Sequence, residues 1–110
     1  MRVRLIKKKT IEQYSAHHAR SKTSFSDWLS KIKIAEWNQP NDIFESFGFA
    51  DLLGNGSDRA VFNIAGNEYR MICKYWFTDV RVHLYIKCIG THAEYDKLCK
   101  ENKQYTVNDY

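Results

Sequence analysis

The sequence contains few cysteine and proline residues, which cross-link a chain or interrupt its helices and strands. Its 110 residues include one proline and three cysteines, and no two cysteines stand in a Cys-x-x-Cys pair. An odd cysteine count without that spacing excludes a disulfide framework and a cysteine-based zinc finger as the basis of the fold. A His-Glu-x-x-His string is also missing. We therefore expect neither a metal nor another cofactor.

Long hydrophobic runs are missing as well. No apolar stretch approaches the roughly 20 residues that a membrane-spanning helix needs, and the chain does not open on a signal-peptide pattern. These absences predict a cytoplasmic protein with reduced thiols and no membrane contact.

Charge is unevenly distributed along the chain. Lysine and arginine outnumber aspartate and glutamate by 17 to 13, which gives a formal net charge of +4. Residues 1–37 hold nine basic side chains and three acidic ones, whereas residues 38–58 hold four acidic side chains and no basic one. This length predicts a single domain over residues 1–110, with a polar, frayed tail from about residue 102. A basic domain favours an anionic partner.

Residues 59–89 are rich in β-branched and aromatic side chains and predict a meander of three antiparallel strands. Gly66-Asn67 and Thr78-Asp79 are the expected two-residue turns. Such turns set the register of both hairpins. In the first hairpin Asn63 then faces Arg70 and Arg59 faces Lys74. In the second, the expected pairs are Trp76 with Arg81, Lys74 with His83, Ile72 with Tyr85, and Arg70 with Lys87.

Alternation along these strands separates two faces of the sheet. The expected core face carries apolar residues: Ala60, Phe62, Ile64, Tyr69, Met71, Cys73, Tyr75, Val82, Leu84, Ile86 and Cys88. The opposite face carries cations interleaved with aromatic and polar residues, with Val61 and Ile72 among them: Arg59, Asn63, Arg70, Lys74, Trp76, Arg81, His83, Tyr85 and Lys87. One interpretation of this second face is a solvated surface. Because cations contact phosphates and aromatic rings stack on bases, the mixture favours RNA binding instead.

The remaining elements complete an α+β fold. A strand is expected at residues 1–6, followed by helices capped by Thr10 and Ser24 and a short helix capped by Asp42. Thr91 and Glu94 form a capping box that opens a closing helix ending near residue 100. The helices are expected on one side of a four-stranded sheet, with the basic face left open.

Several strings resemble the HigB toxins of bacterial type II toxin–antitoxin systems, within the RelE/ParE superfamily. They are AEW…PND at residues 35–42, VFNI at 61–64, GNEYR at 66–70 and GTHAEYDK at 90–97. The resemblance covers about residues 1–100. It implies a RelE/ParE-like fold with an N-terminal strand, two helices, a three-stranded meander and a short C-terminal helix. It also implies an endoribonuclease that cuts mRNA on the translating ribosome. The implied inhibitor is a HigA-like helix-turn-helix antitoxin, through which DNA would be contacted only indirectly.

Four residues are candidates for the chemistry of metal-independent RNA cleavage. Arg70 resembles the superfamily arginine after the Gly-x-x-Tyr element and would grip the scissile phosphate. His92 would serve as acid or base, and Tyr95 as proton donor or stacking ring. Lys74 would serve as base or as an electrostatic contact, so the identity of the general base stays open. The expected RNA-binding residues are Arg59, Asn63, Trp76, Arg81, His83, Tyr85 and Lys87.

Two other functions remain open at this point. ParE-branch members of the superfamily poison gyrase instead of cutting RNA, and fold alone does not separate the branches. A non-catalytic RNA-binding module would keep the cations and aromatic rings without needing His92.

Overall fold

A five-stranded sheet organises the computed structural model, which describes residues 1–110. The elements in chain order are β1 (Val3–Ile6), α1 (Lys8–His17), α2 (Lys22–Ile34), α3 (Ile43–Ser46), β2 (Asp51–Leu52), β3 (Arg59–Ile64), β4 (Tyr69–Phe77), β5 (Val82–Thr91) and α4 (His92–Lys100). The strand order is β1-β5-β4-β3-β2; β1 is parallel to β5, and the other neighbours are antiparallel. The predicted α+β fold is confirmed. None of the helices is long and apolar enough to cross a membrane.

The fifth strand corrects the expectation of four strands. β2 is only two residues long and lies in the acidic block, where Asp51 pairs with Val61 and Leu52 with Ala60. The pattern of a two-residue strand is too short to stand out in a sequence.

The main core lies between one face of the sheet and the first three helices. Phe25 and Ile32 of α2 are buried in the same cluster as Phe62, Met71 and Leu84 of the strands. Trp28 of α2 packs edge-on against Phe62, with ring centroids 5.3 Å apart. Every residue predicted for the core face except Cys88 therefore lies in this cluster or packs against it, and Ile89 is a further core residue.

Two of the predicted helix caps are wrong. α1 begins at Lys8, and Thr10 is buried within its first turn. α2 begins at Lys22 rather than after Ser24, because a short 3-10 turn (Ala19–Ser21) leads directly into it. The Asp42 side chain does accept backbone hydrogen bonds, but from the amides of Asn38 (2.7 Å) and Gln39 (3.2 Å) rather than from α3.

The first hairpin has the predicted register. Asn63 faces Arg70, and Arg59 faces Lys74. Gly66 has φ +64°, a left-handed conformation that glycine adopts without strain.

The second hairpin differs from the predicted register by two residues near its turn. Its loop has four residues, since Phe77 pairs with Val82. The hydroxyl of Thr78 stabilises this wider turn because it accepts from the amides of Val80 (3.3 Å) and Arg81 (3.0 Å) and donates to the Arg81 carbonyl. Trp76 therefore pairs with His83 rather than with Arg81. Lys74 pairs with Tyr85 rather than with His83.

A β-bulge in the same hairpin changes the faces of β5. Cys73 pairs with Ile86 but Ile72 pairs with Cys88, which leaves Lys87 as an extra residue. Residues after a one-residue bulge exchange faces. Cys88 therefore lies with Ile72 on the face opposite the main core, and Arg70 faces Gly90 rather than Lys87.

The bulge leaves an apolar row on the face that was expected to be open and basic. Val61, Ile72 and Cys88 form this row, and Tyr95 and Leu98 of α4 pack on it together with Val107. We call residues 101–110 the C-terminal segment. It is not frayed: the Asp109 amide donates to the Lys87 carbonyl at 2.8 Å, and Gln104 is buried.

Candidate functional site

Arg70 is the cation with the clearest opportunity to bind an anion. It is the second residue of β4, and its neighbours across the sheet are Asn63 of β3 and Gly90 of β5. Its half-buried guanidinium donates only two long hydrogen bonds, to the Tyr69 carbonyl (3.3 Å) and to the Asn67 side-chain oxygen (3.4 Å). None of the ion pairs in the structure involves Arg70. Its charge and most of its donors are therefore free for a ligand.

A cleft of about 390 Å³ opens beside Arg70. Its walls come from β4, β5, α4 and the C-terminal segment: Arg70, Ile72, Cys88, Ile89, Gly90, Glu94, Tyr95, Lys97, Leu98, Glu101, Lys103 and Asp109. An apolar floor with charged walls suits a group that has both an aromatic ring and a charge. A nucleotide is such a group.

The start of α4 is held against β5 by the predicted capping box. The Thr91 hydroxyl accepts from the Glu94 amide at 3.2 Å, and the Glu94 carboxylate accepts from the Thr91 amide at 2.7 Å. A Cβ at position 90 would lie 3.2 Å from Oε1 of Glu94, so glycine allows this close approach. The box therefore sets where the first turn of α4, and the side chains on it, project.

His92 is the first residue of α4 and lies at the same end of the sheet as Arg70. Its backbone amide donates to the Glu68 carbonyl at 3.0 Å, and its half-exposed imidazole places Nδ1 2.9 Å from Oδ2 of Asp96. Since Arg70 faces Gly90, His92 is two residues further along the chain from that pair. It is not among the residues that line the cleft.

Tyr95 lines the cleft directly. Its ring packs on the apolar row of Val61, Ile72 and Cys88. Burial is the largest cause of a raised pKa for the Tyr95 hydroxyl; the neighbouring Cys99 thiol and Asp51 add to it, and the charge of Arg70 opposes it. The hydroxyl is protonated at neutral pH, and its raised pKa makes it a weaker acid than the hydroxyl of an exposed tyrosine.

The other predicted RNA contacts gather at the opposite end of the same face. We call Trp76, His83 and Tyr85 the aromatic surface. Trp76 is 60% exposed and faces His83, whose Nδ1 is 3.4 Å from the Tyr85 hydroxyl. Lys74 faces Tyr85. Arg81 is exposed in the adjoining loop. The apolar row separates this surface from Arg70.

Arg59 differs most from its expected role as an RNA contact. It is 5% exposed and lies beneath the C-terminal segment. Its Nη1 donates to the carbonyls of Val107 (2.7 Å) and Gln104 (3.2 Å), and burial lowers its pKa. Lys87 also contacts this segment, through a 3.1 Å hydrogen bond to the side chain of Asn108. These two cations hold the segment in place.

Comparison with known protein families agrees with this geometry. A family model described as HigB toxin, the RelE-like toxic component of a toxin–antitoxin system, matches residues 21–98. The chain belongs to the HigB toxin family. This match confirms the resemblance of the sequence strings. A search of curated protein sequences finds no match. As the toxin of a toxin–antitoxin system, this HigB-family chain has a cognate antitoxin as its partner.

The sequence interpretation missed three features of this HigB-family toxin. Asp96 pairs with His92, and the spacing of four residues in a predicted helix could have indicated it. Arg4 of β1 lies beside His83 through the parallel pairing of β1 with β5, which no local pattern signals. The packing of the C-terminal segment depends on the bulge and had no signal in the sequence.

Proposed function

We propose that this HigB-family toxin is an mRNA endoribonuclease that acts on the translating ribosome in the cytoplasm. The observation that carries the proposal is the unpaired guanidinium of Arg70 at the edge of the cleft, with Tyr95 in the wall. His92 is two residues beyond Gly90, which faces Arg70. A free cation next to groups able to donate and accept protons is what cleavage of a phosphodiester requires.

The reaction uses the RNA's own 2′-hydroxyl. The 2′-oxygen attacks the adjacent phosphorus, a base takes the 2′-OH proton, and the P–O5′ bond breaks while an acid protonates the leaving 5′-oxygen. The products are a 2′,3′-cyclic phosphate and a 5′-hydroxyl end. Arg70 would bind the non-bridging phosphate oxygens, where negative charge grows in the transition state.

The candidate residues for proton transfer differ in their position relative to Arg70. Lys74 is four residues from Arg70 along β4, which is about 13 Å at the rise of a strand. The apolar row lies between Arg70 and Lys74, and Lys74 faces Tyr85 of the aromatic surface, so we assign Lys74 to RNA binding. His92 and Tyr95 lie on the first turn of α4, next to the strand that faces Arg70. We assign proton transfer to these two residues.

The aromatic surface would hold the RNA on one side of the cleavage site. Exposed Trp76 and half-buried Tyr85 offer faces for stacking, and Lys74, Arg81 and His83 lie around them. Stacking on aromatic rings contributes about 1–3 kcal/mol per base without selecting a sequence. Trp76→Ala is expected to weaken binding and to leave the cleavage rate of bound RNA unchanged.

Ribosome dependence follows from how little of the RNA this face can position. The cleft takes about one nucleotide, and the apolar row interrupts the cationic surface beyond it. Orienting the 2′-hydroxyl in line with the leaving oxygen needs further contacts, which the ribosome would supply. A HigA-like helix-turn-helix antitoxin would neutralise the toxin by covering Arg70 and the aromatic surface.

The decisive experiment is induced expression in a bacterium, followed by mapping of mRNA 5′ ends against the reading frame. We expect new ends in phase with codons for the wild-type protein and none for Arg70→Ala at matched expression. Lys33→Ala removes an exposed cation from α2, on the other side of the sheet, and serves as the control. Broken DNA with intact mRNA would instead show gyrase poisoning, and growth arrest with uncut RNA would show a non-catalytic RNA-binding module.

Two further experiments test the partners. Purified protein should cut mRNA on ribosomes and leave naked mRNA intact; efficient cleavage of naked mRNA would contradict ribosome dependence. Co-expression of a neighbouring helix-turn-helix gene should restore growth. Rescue by no neighbouring gene would contradict the proposed HigA-like antitoxin.

A further inference from the structure

Asp96 forms the closest polar contact to the imidazole of His92. Oδ2 of Asp96 is 2.9 Å from Nδ1 of His92, one helical turn away on α4, and both side chains are about half exposed. Asp96 has no other ionic partner in the structure.

The backbone beneath this pair is firmly held. The His92 amide is bonded to the Glu68 carbonyl at 3.0 Å, and the Thr91–Glu94 capping box closes the first turn around it. Because this backbone is fixed, the contact with Asp96 restricts the orientation of the His92 ring. The only remaining freedom of the imidazole is rotation about its own bonds, which the bond to Asp96 limits.

We propose that Asp96 is a positioning residue that makes His92 the general base, an inference that rests on the proposed endoribonuclease function. A carboxylate beside Nδ1 keeps the proton on that nitrogen, so the lone pair of the neutral ring is on Nε2. Nε2 then takes the proton of the 2′-hydroxyl while the 2′-oxygen forms its bond to phosphorus and the P–O5′ bond breaks. The leaving 5′-oxygen takes its proton from Tyr95, and Asp96 stabilises the imidazolium that results.

A surface ion pair without this role would behave differently on mutation. Exposed pairs contribute little to stability, because solvent screens them. Loss of Asp96 should therefore leave the fold intact, and any large effect on cleavage has to come from the imidazole. The effect of Asp96 should also vanish when His92 is absent, because a positioning residue acts only through the residue that it positions.

The kinetic test uses purified toxin and mRNA bound to ribosomes, with single-turnover cleavage and ribosome binding measured separately. Asp96→Ala should slow cleavage about 10–100-fold, the range for removing the group that orients a functional histidine, with binding unchanged. Asp96→Asn removes the charge and can donate to Nδ1, which favours the wrong tautomer, so it should cut about as slowly as Asp96→Ala. The double variant of Asp96→Ala with His92→Gln should be no slower than His92→Gln alone. Asp27→Ala, which removes an exposed, unpaired carboxylate from α2, is the matched control.

A spectroscopic test reports on the contact without any activity. In ¹⁵N NMR spectra of the neutral imidazole, we expect His92 of the wild-type protein to be protonated at Nδ1 and unprotonated at Nε2. Asp96→Ala should show a mixture of both tautomers, and Asp27→Ala should match the wild type.

The outcomes separate this inference from the function on which it rests. If His92→Gln stops cleavage but Asp96→Ala cuts at the wild-type rate, the positioning role is overturned and the endoribonuclease stands. Independent, additive losses in the double variant, or an unchanged tautomer in Asp96→Ala, overturn it as well. If the wild-type toxin cuts no ribosome-bound mRNA, the proposed function fails, and the assignment of His92 as its base fails with it.

Discussion

Replacing Arg59 by methionine should destabilise the protein strongly, because this arginine anchors the C-terminal segment from below. Its guanidinium donates to the carbonyls of Gln104 and Val107, and the residue is 5% exposed. Methionine fills a similar length but donates nothing. Each carbonyl left without its donor costs about 1–3 kcal/mol, so two give about 2–6 kcal/mol.

Part of that loss is offset. Burial lowers the pKa of Arg59, which means that the folded protein holds its charge at a cost that methionine removes. We therefore expect the lower end of the range, a net loss of about 2–3 kcal/mol. For a domain of about 100 residues, this corresponds to a fall of roughly 10–20 °C in the unfolding temperature.

Urea unfolding followed by tryptophan fluorescence would measure the loss, and hydrogen exchange would locate it. The Asp109 amide, bonded to the Lys87 carbonyl, should exchange faster in Arg59→Met than in the wild-type protein. Arg81→Met changes an exposed loop arginine in the same way and should stay within about 0.5 kcal/mol of the wild type. Equal urea midpoints for Arg59→Met and wild type, with unchanged exchange at Asp109, would refute the anchoring role.

Three further predictions test the site and its support. Tyr95→Phe should slow cleavage on the ribosome by about 100-fold while leaving binding intact, because the hydroxyl is the proposed proton donor; an unchanged rate would reduce Tyr95 to a stacking ring. Gly90→Ala should cost about 1 kcal/mol in urea unfolding, since the new Cβ would be 3.2 Å from Oε1 of Glu94; wild-type stability would show that α4 shifts freely. Burial raises the pKa of the Cys88 thiol from 9.0 to about 12, so the folded state disfavours the thiolate. The free energy of unfolding should therefore hold below pH 9 and fall as the pH rises towards 12, with a smaller fall in Cys88→Ala; identical alkaline slopes in both proteins would contradict that cause.

Local patterns in the sequence determined the core face of β3 and β4, the register of the first hairpin and the start of α4. Alternation along β3 and β4 identified the core face, and the Gly66-Asn67 turn set the register that brings Asn63 opposite Arg70. The spacing of Thr91 and Glu94 predicted the cap that opens α4. Such features depend on residues close in the chain, so their physical causes are visible in the sequence. The same cap predicted His92 at the start of α4, whereas Arg70 was proposed because it resembles the superfamily arginine.

Only the tertiary structure decided how the second hairpin is paired and what covers it. A side-chain hydroxyl at Thr78 widened the turn, and the bulge at Lys87 moved Cys88 to the other face. Both changes are favourable because α4 and Val107 are present to bury the apolar row that the bulge completes. This packing gain joins residues that are distant in the sequence, and so no local pattern records it. The same packing buries Arg59 and forms the walls of the cleft beside Arg70. Trp76, at the far end of the sheet, stays exposed.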